Sequence, residues 1–314
     1  MSAEVVCVVG PTACGKTRMG VLLAKELNGE VVSCDSMQIY RGMTIGTAAP
    51  TREEMEGVPH HMIAVADPRE NYSVARYARE AGQCVDDILA RGKRPIIVGG
   101  TGLYLDALLA GREYASGQAG GAVRAQLERR AAQEGIAPLL DELHAVDPES
   151  AQRLNPNDQK RIIRALEVYR ETGKTITQHN RDSQRVPPRY DAVYLGFAFE
   201  DRQDMRDRID ARVDQMARQG LLDEVRALLA QGVPRDSTAL QAIGYKECLS
   251  FLDGQSTEEE ALELIKLRSR QYAKRQLTWL RRNQDIHWFY WKKTRDFQAA
   301  LAFSTEILRQ RGVS

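Results

Sequence analysis

The sequence is poor in the features that mark several protein classes. Its 314 residues include five cysteines, Cys7, Cys14, Cys34, Cys84 and Cys248, irregularly spaced and with no C-x-x-C pair. That pattern disfavours both a disulfide framework and a structural zinc site, and it fits a reducing compartment. Net charge is nearly absent: 44 Lys and Arg stand against 43 Asp and Glu, a formal +1. Overall charge therefore neither favours nor excludes a polyanionic partner, and only a local concentration of Lys and Arg can argue for one. No stretch approaches the roughly 18 apolar residues that a membrane span needs, and the leading MSAEVVCVVG has no basic n-region. These absences lead us to expect a soluble, cytoplasmic protein with no membrane partner. Repeats and low-complexity tracts are missing as well. What remains is ordinary globular usage, 43% apolar and 28% charged, in a chain long enough for about two domains.

Short β-branched runs punctuate the chain. Val5 to Val9 ends at Gly10, Glu30 to Cys34 ends at Asp35, and Pro95 to Val98 ends at Gly99-Gly100-Thr101-Gly102. None alternates apolar with polar, so each is expected to be buried on both faces, as in a parallel sheet. Helical stretches follow, from Gly15 to about Asn28 and from Leu103 to Leu109. Ligands of such sheets collect at the carboxyl ends of strands, where Gly10, Asp35 and Thr101 all lie. Between Gly111 and Pro188 the pattern turns helical, with helices expected at Ala122 to Gln133 and Asn157 to Thr172, after the glycine-rich Ser116 to Gly121. Asp191 to Phe199 and His287 to Trp291 read as late strands. Arg202 to Gln219, Leu221 to Gln231, Glu258 to Arg282 and Arg295 to Arg311 read as helices. The expectation is an α/β core over 1–110 and 191–314, with a helical domain inserted at 111–190.

Gly10-Pro11-Thr12-Ala13-Cys14-Gly15-Lys16-Thr17 matches G-x-x-x-x-G-K-[ST] between a strand and a helix, the context this phosphate-binding loop requires. Its glycines let backbone N–H groups wrap phosphate oxygens at a positive helix end. Lys16 adds a charge, and Thr17 offers a hydroxyl to Mg²⁺. The fold class that follows is a P-loop NTPase-like parallel sheet flanked by helices. Such a cradle alone leaves kinases, NTPases and pyrophosphate-releasing enzymes open. Asp35 at the second strand tip suits a general base or a water-mediated Mg²⁺ contact, or else merely an Asx turn. Thr101 places a hydroxyl on a glycine turn, which also suits a helix N-cap. His60 and His61 are adjacent and cannot share one face, so a metal pair is disfavoured.

Positive charge concentrates between Glu263 and Asp285. Lys266, Arg268, Arg270, Lys274, Arg275, Arg281 and Arg282 occur there without an intervening acid, interleaved with Tyr272 and Trp279. This is the footprint of an RNA backbone with stacked bases, although Leu264, Leu267, Leu277 and Leu280 mark one face of the helix as core. Lys160, Arg161 and Arg164 form a weaker cluster early in a helix, with Asp158 near its N-cap. Arginines from Arg202 to Arg212 alternate with aspartates, which suggests i,i+4 surface pairs with one arginine left to face the phosphate crevice.

Seven blocks in order, GPTACGKT (10–17), DSMQIYRGMTIGTAAP (35–50), HHMIAVADP (60–68), PIIVGGTGLY (95–104), PNDQKRIIRALEVYRETGK (156–174), AIGYKE (242–247) and RQYAKRQLTWLRR (270–282), resemble the bacterial tRNA dimethylallyltransferase family from about residue 5 to 290. The resemblance implies transfer of a dimethylallyl group from its diphosphate to N6 of the adenosine at tRNA position 37, 3′ of the anticodon, with Mg²⁺ present. By matching motif, Asp35 would be the general base on the adenine amine, supported by Thr101. Gly10 to Thr17 and Arg212 would grip the diphosphate, and Thr17 the Mg²⁺. Ser36, Gln38, Lys160, Arg161, Arg164, Lys274, Arg275 and Arg281 would contact tRNA, and the helical insert would grip the anticodon stem-loop of a substrate bound by a monomer. This sequence departs from the family pattern at Cys14 (usually Ser), Ala64 (often Asp) and Gln159-Lys160 (usually Pro-Gln). An adenylate isopentenyltransferase, a P-loop metabolite kinase and a non-catalytic RNA-binding module remain the alternatives. The 111–188 segment and the basic helix favour tRNA over free AMP.

Overall fold

Six segments form one parallel sheet in the computed structural model, which describes residues 4–110, 121–184 and 186–313. The strands are β1 (Val5–Val9), β2 (Gly29–Cys34), β3 (His60–His61), β4 (Arg94–Gly99), β5 (Ala192–Phe199) and β6 (Ile286–Trp291). They lie in the order β3-β2-β4-β1-β5-β6, and every pairing is parallel. All five residues of β1 are buried, because helices cover both faces of a central strand. The first unit comprises Met1–Tyr72, Arg76–Leu109 and Tyr190–Ser314. Its early helices are α1 (Lys16–Glu26), α2 (Arg52–Met55), α3 (Val74–Ala90) and α4 (Gly102–Leu109).

The second unit, Ser73–Ala75 with Ala110–Arg189, is helical where described. It holds α5 (Ala122–Glu134), α6 (Ala137–Val146), α7 (Pro148–Arg153), α8 (Gln159–Thr172) and α9 (Ile176–Gln184). Its own core gathers Leu127, Leu139, Leu143, Ile162, Ile163 and Leu166, so it buries an apolar centre without borrowing one. Asp147 knits it together by accepting from Ser150 N (3.1 Å), Thr177 N (3.1 Å) and Thr177 Oγ1 (2.6 Å). The expected glycine-rich stretch falls outside the described residues over 116–120.

After β5 the first unit resumes with α10 (Arg202–Arg218), α11 (Leu221–Ala230), α12 (Tyr245–Leu252) and α13 (Glu258–Leu280), and after β6 comes α14 (Phe297–Gln310). On one sheet face Val6, Val8, Leu195 and Phe197 pack with Met19 and Leu23 of α1 and with Ala300 and Leu308 of α14. Two expectations about α10 and α13 need correction. Leu264 and Leu267 are exposed, and the buried face of α13 is Ala261, Ile265, Ala273, Gln276 and Leu280. The leucines sit one step round the helix from the stripe that meets the body, where smaller residues allow closer approach. Among the described residues the aspartates of α10 form no i,i+4 ion pair with its arginines: Asp210 pairs with Arg270 (2.6 Å) and Asp214 with Lys266 (2.8 Å) across to α13.

At the sheet edge, Glu30 of β2 is almost wholly buried. It accepts from Arg91 (2.5 and 2.8 Å) and Lys93 (2.8 Å) and meets His61 Nε2 at 2.8 Å. This carboxylate therefore ties the two-residue strand β3 to the sheet. The Arg91 hydrogen bonds, outweighing burial, hold its pKa far below the usual carboxylate range. A depressed folded-state pKa means the contribution is fully present above pH ~4.3 and is lost as pH falls toward the folded-state value. We expect Glu30→Gln to cost about 2–3 kcal/mol by urea unfolding at neutral pH, since it leaves cations without their anion, and to remove part of the wild-type loss of stability in acid.

Candidate active site

The carboxyl ends of β1, β2 and β4 open on a cavity of about 360 Å³ in the first unit. The loop after β1 is held from three sides. A Cβ on Gly10 would lie 2.2 Å from Phe197 O and 2.7 Å from Cys14 Sγ, so only glycine fits over the buried Cys14 side chain. Trp291 Nε1 donates to Cys14 O (2.7 Å), and Thr12 N donates to Gln276 Oε1 (2.9 Å). Gly15 is left-handed (φ 90°), and α1 then begins at Lys16 with no side-chain cap, leaving its first N–H groups available to an anion. Lys16 Nζ donates to Pro11 O (2.6 Å), its ammonium lying across the loop. Thr12, Lys16 and Thr17 line the cavity, while Gly10, Pro11, Ala13, Cys14 and Gly15 shape the loop behind it.

Asp35 lines the cavity from the tip of β2. Its Oδ1 accepts from Met37 N (2.8 Å) and Gln38 N (3.3 Å). The Asx turn and the cavity-facing carboxylate are thus one arrangement: the turn uses Oδ1 and aims the group. Thr101 is displaced from its expected place. It is not among the cavity-lining residues, and its hydroxyl accepts from Ser36 N (3.3 Å) instead of capping α4. Thr101 thus holds Ser36, which is in the wall. Burial, with the nearby Asp35 charge, pushes the Tyr272 hydroxyl up to about 12, so it is a neutral donor at physiological pH.

Arg212 is the arginine of α10 that faces the cavity. Its Nη2 donates to Thr47 O (3.4 Å), and its Nε is buried with no partner. Burial lowers its pKa, the mark of a cation stripped of water and short of an acceptor. Arg275 also reaches the cavity, over the Tyr272 ring at 5.7 Å. Lys16, Arg212 and Arg275 thus face one carboxylate, Asp35, a balance that favours an anionic occupant. Ile209, Val213, Met216, Ile243 and Ile265 give the same cavity an apolar side.

Other expected contacts lie apart or are already engaged. Gln38 lines the cavity, but its amide accepts from Ser33 Oγ (3.1 Å) and donates to Thr47 O and Ala48 O (3.3 Å each). Lys274 and Arg281 are exposed on and just beyond α13, outside the cavity wall. In the second unit Lys160 is exposed, Arg161 pairs with Asp158 (2.9 Å), which caps α8, and Arg164 pairs with the buried Glu167 (2.8 Å).

Sequence reasoning missed the residues that hold the site. Glu224 of α11 accepts from Thr44 N and Oγ1, Ile45 N (2.8 Å each), Gly46 N (3.0 Å) and Tyr245 Oη (2.6 Å). It fixes the loop whose Thr47 and Ala48 carbonyls receive Gln38 and Arg212. Gln276 joins Thr12 N to Gly100 O (3.1 Å). A polar residue on the buried stripe of α13 was the available signal.

A parallel sheet with a P-loop, a strand-tip carboxylate and a cation-lined, half-apolar cavity defines an α/β enzyme that handles a phosphorylated substrate with a greasy part. Comparison with known proteins narrows this. The IPP transferase family model matches residues 38–283, and an isopentenyl transferase model matches residues 3–67. The chain is 45% identical over 291 residues to a tRNA dimethylallyltransferase of Thermoanaerobacter sp., covering 92% of each. It is 47% identical over 289 residues to one of Halalkalibacterium halodurans, covering 92% of this chain and 91% of the relative. The crystal structure of a full-length tRNA isopentenylpyrophosphate transferase from Bacillus halodurans is similar with TM-score 0.73 at 42% identity, covering 99% and 98% of the two chains. A eukaryotic dimethylallyltransferase acting on tRNA gives TM-score 0.83 at 30% identity, covering 100% and 81%. The chain belongs to the tRNA dimethylallyltransferase family and is a prenyltransferase.

Gln276→Leu leaves Thr12 N and Gly100 O without partners beneath the site. We expect a stability loss of about 2 kcal/mol by urea unfolding, as for two buried backbone groups left unsatisfied, together with weaker binding of pyrophosphate by calorimetry.

Proposed function

We propose that this protein transfers the dimethylallyl group of dimethylallyl diphosphate to N6 of the adenosine at tRNA position 37, releasing diphosphate. The observation that carries the reading is the single cavity in which the P-loop, Arg212 and an aimed carboxylate share space with an apolar wall. Diphosphate would lie on the Lys16 ammonium and the α1 N-terminus with Arg212 on its flank, and the five-carbon chain would lie along Ile209, Val213 and Met216. As the C–N bond forms and the C–O bond to diphosphate breaks, the amine proton passes to Asp35, and the leaving electron pair stays on diphosphate. An exocyclic amine is a poor nucleophile, so a positioned carboxylate helps chiefly in the transition state. The guanidinium and backbone N–H groups absorb the charge that develops on the leaving group.

The donor set fits Mg²⁺ carried on the diphosphate. Among the described residues no group of three His, Cys, Asp or Glu could hold a metal by itself. Thr17, and Asp35 through water, would supply the protein's share of an oxygen shell completed by phosphate. That ion would offset charge on the leaving group. The adenosine must leave its stack to enter such a cavity. The second unit would grip the anticodon stem-loop, with Lys160 exposed for phosphate.

Asp35→Asn retains the acceptor for Met37 N and Gln38 N while removing the base. We expect turnover to fall by at least about a hundredfold with tRNA affinity retained. Incubation with labelled dimethylallyl diphosphate and either tRNA or AMP tests the whole reading: label in tRNA is expected, and label in AMP alone would overturn it. Neutralising Lys274 and Arg275 together should flatten the salt dependence of tRNA binding by up to about one log unit per lost phosphate contact, measured by filter binding.

A further inference from the structure

Outside the cavity wall, the P-loop carries a second cationic contact that sequence reasoning did not single out. Arg295, in the segment between β6 and α14, sets its guanidinium against Gly15: a Cβ built there would meet Arg295 Nη1 at 3.2 Å. The guanidinium rests on the Phe297 ring, 5.4 Å from its centroid, and Phe297 in turn packs on Trp291 at 5.2 Å. Trp291 is the residue that holds Cys14 O. The arginine is thus carried by the same aromatic brace that fixes the loop, half-buried on a rigid seat rather than waving in solvent.

Its neighbours are cations. Arg208 and Arg212 are four residues apart on α10, on one helix face. Burial, with the like charge of Arg208 added, pushes the Arg295 guanidinium below its ordinary value. Burial does the same at Arg212, with Arg295 contributing. Among the described residues no carboxylate pairs with Arg208 or Arg295. The nearest acid in sequence, Asp296, is occupied as the cap of α14, accepting from Ala299 N (3.0 Å). Asp207 accepts from Gln203 Nε2 (2.8 Å). Asp35 and Glu54 lend Arg212 some opposite charge, but guanidiniums with no ion-pair partner at Arg208 and Arg295, beside an uncapped helix N-terminus and the unpartnered Arg212 Nε, cost free energy until an anion arrives.

We infer that Arg295 grips the distal phosphoryl group of the diphosphate from the outer side of the P-loop, as a binding residue for the leaving group. This rests on the reading of the cavity as a diphosphate site and adds to it a cation supplied from beyond β6. Charge-assisted contacts from a fork of N–H donors suit a terminal phosphate with three free oxygens. The alternative source of the same chemistry is a backbone phosphate of the tRNA.

The test uses Arg295→Ala and Arg295→Lys in the full chain, with inorganic pyrophosphate as the probe. Calorimetry should show the pyrophosphate Kd rising at least about tenfold in the alanine variant, as for the loss of one charged contact, with partial recovery in the lysine variant. Filter binding should show unchanged tRNA affinity. The free protein should melt at the parent temperature or above, because a like-charge neighbour has gone. A pyrophosphate Kd within twofold of the parent overturns the inference. So does a fall in tRNA affinity alone, which would assign the arginine to the nucleic-acid backbone, or a melting temperature several degrees lower, which would make it a structural brace. Pyrophosphate binding is read without any acceptor, so failure of prenyl transfer to tRNA in the parent protein would count against the proposed function and leave this measurement standing.

Discussion

A phosphate-binding loop must keep its N–H groups pointing at an empty space, although a backbone left to itself would turn them inward. The long-range contacts around residues 10–17 resolve that conflict by satisfying the rest of the loop from outside. Trp291 takes the Cys14 carbonyl, Gln276 takes the Thr12 N–H, and Phe197 closes over Gly10. The N–H groups at the start of α1 are left for a ligand. Positioning of this kind is where a P-loop enzyme gains its electrostatic advantage, because donors already aimed need not reorganise as charge develops.

The same economy governs the opposite wall. Glu224 spends its carboxylate on four donors of the 44–46 segment and on Tyr245, and the carbonyls that follow hold Gln38 and Arg212. A carboxylate so placed is withdrawn from the cavity, where a second anion would compete with diphosphate. Asp35 remains as the cavity's one acid. Asp35 is thus kept among cations, and its turn geometry fixes the direction it faces.

Much of this was legible in residue order. β1, β2, β4, β5 and β6 were readable because runs such as Val5 to Val9 can be buried on both faces only in a parallel sheet, and GPTACGKT lies at the one junction where its chemistry works. Other parts were not. β3 is two residues long and exists through Glu30 and its neighbours, contacts that no local pattern encodes. α3 was not read from the sequence although its buried face, Tyr77, Ala81, Val85 and Ile88, recurs at helical spacing. On α13 the leucines misled, since close packing against Gly100 and Gly102 selected Gln276 and Trp279 for contact. The contact of Thr101 with Ser36 N joins two strand ends 65 residues apart in sequence and could not be inferred from its own surroundings.

The sequence distances that close the P-loop have a consequence for biosynthesis. Trp291 stands 277 residues from Cys14, and Gln276 stands 264 from Thr12. The central strand β1 likewise waits for β4 and β5 before it has neighbours. On a ribosome the loop leaves the exit tunnel some 264 to 277 residues before its braces do. Non-local closure of this kind slows folding, and it means that a nascent chain carries the complete GPTACGKT sequence through that interval without the means to hold it open.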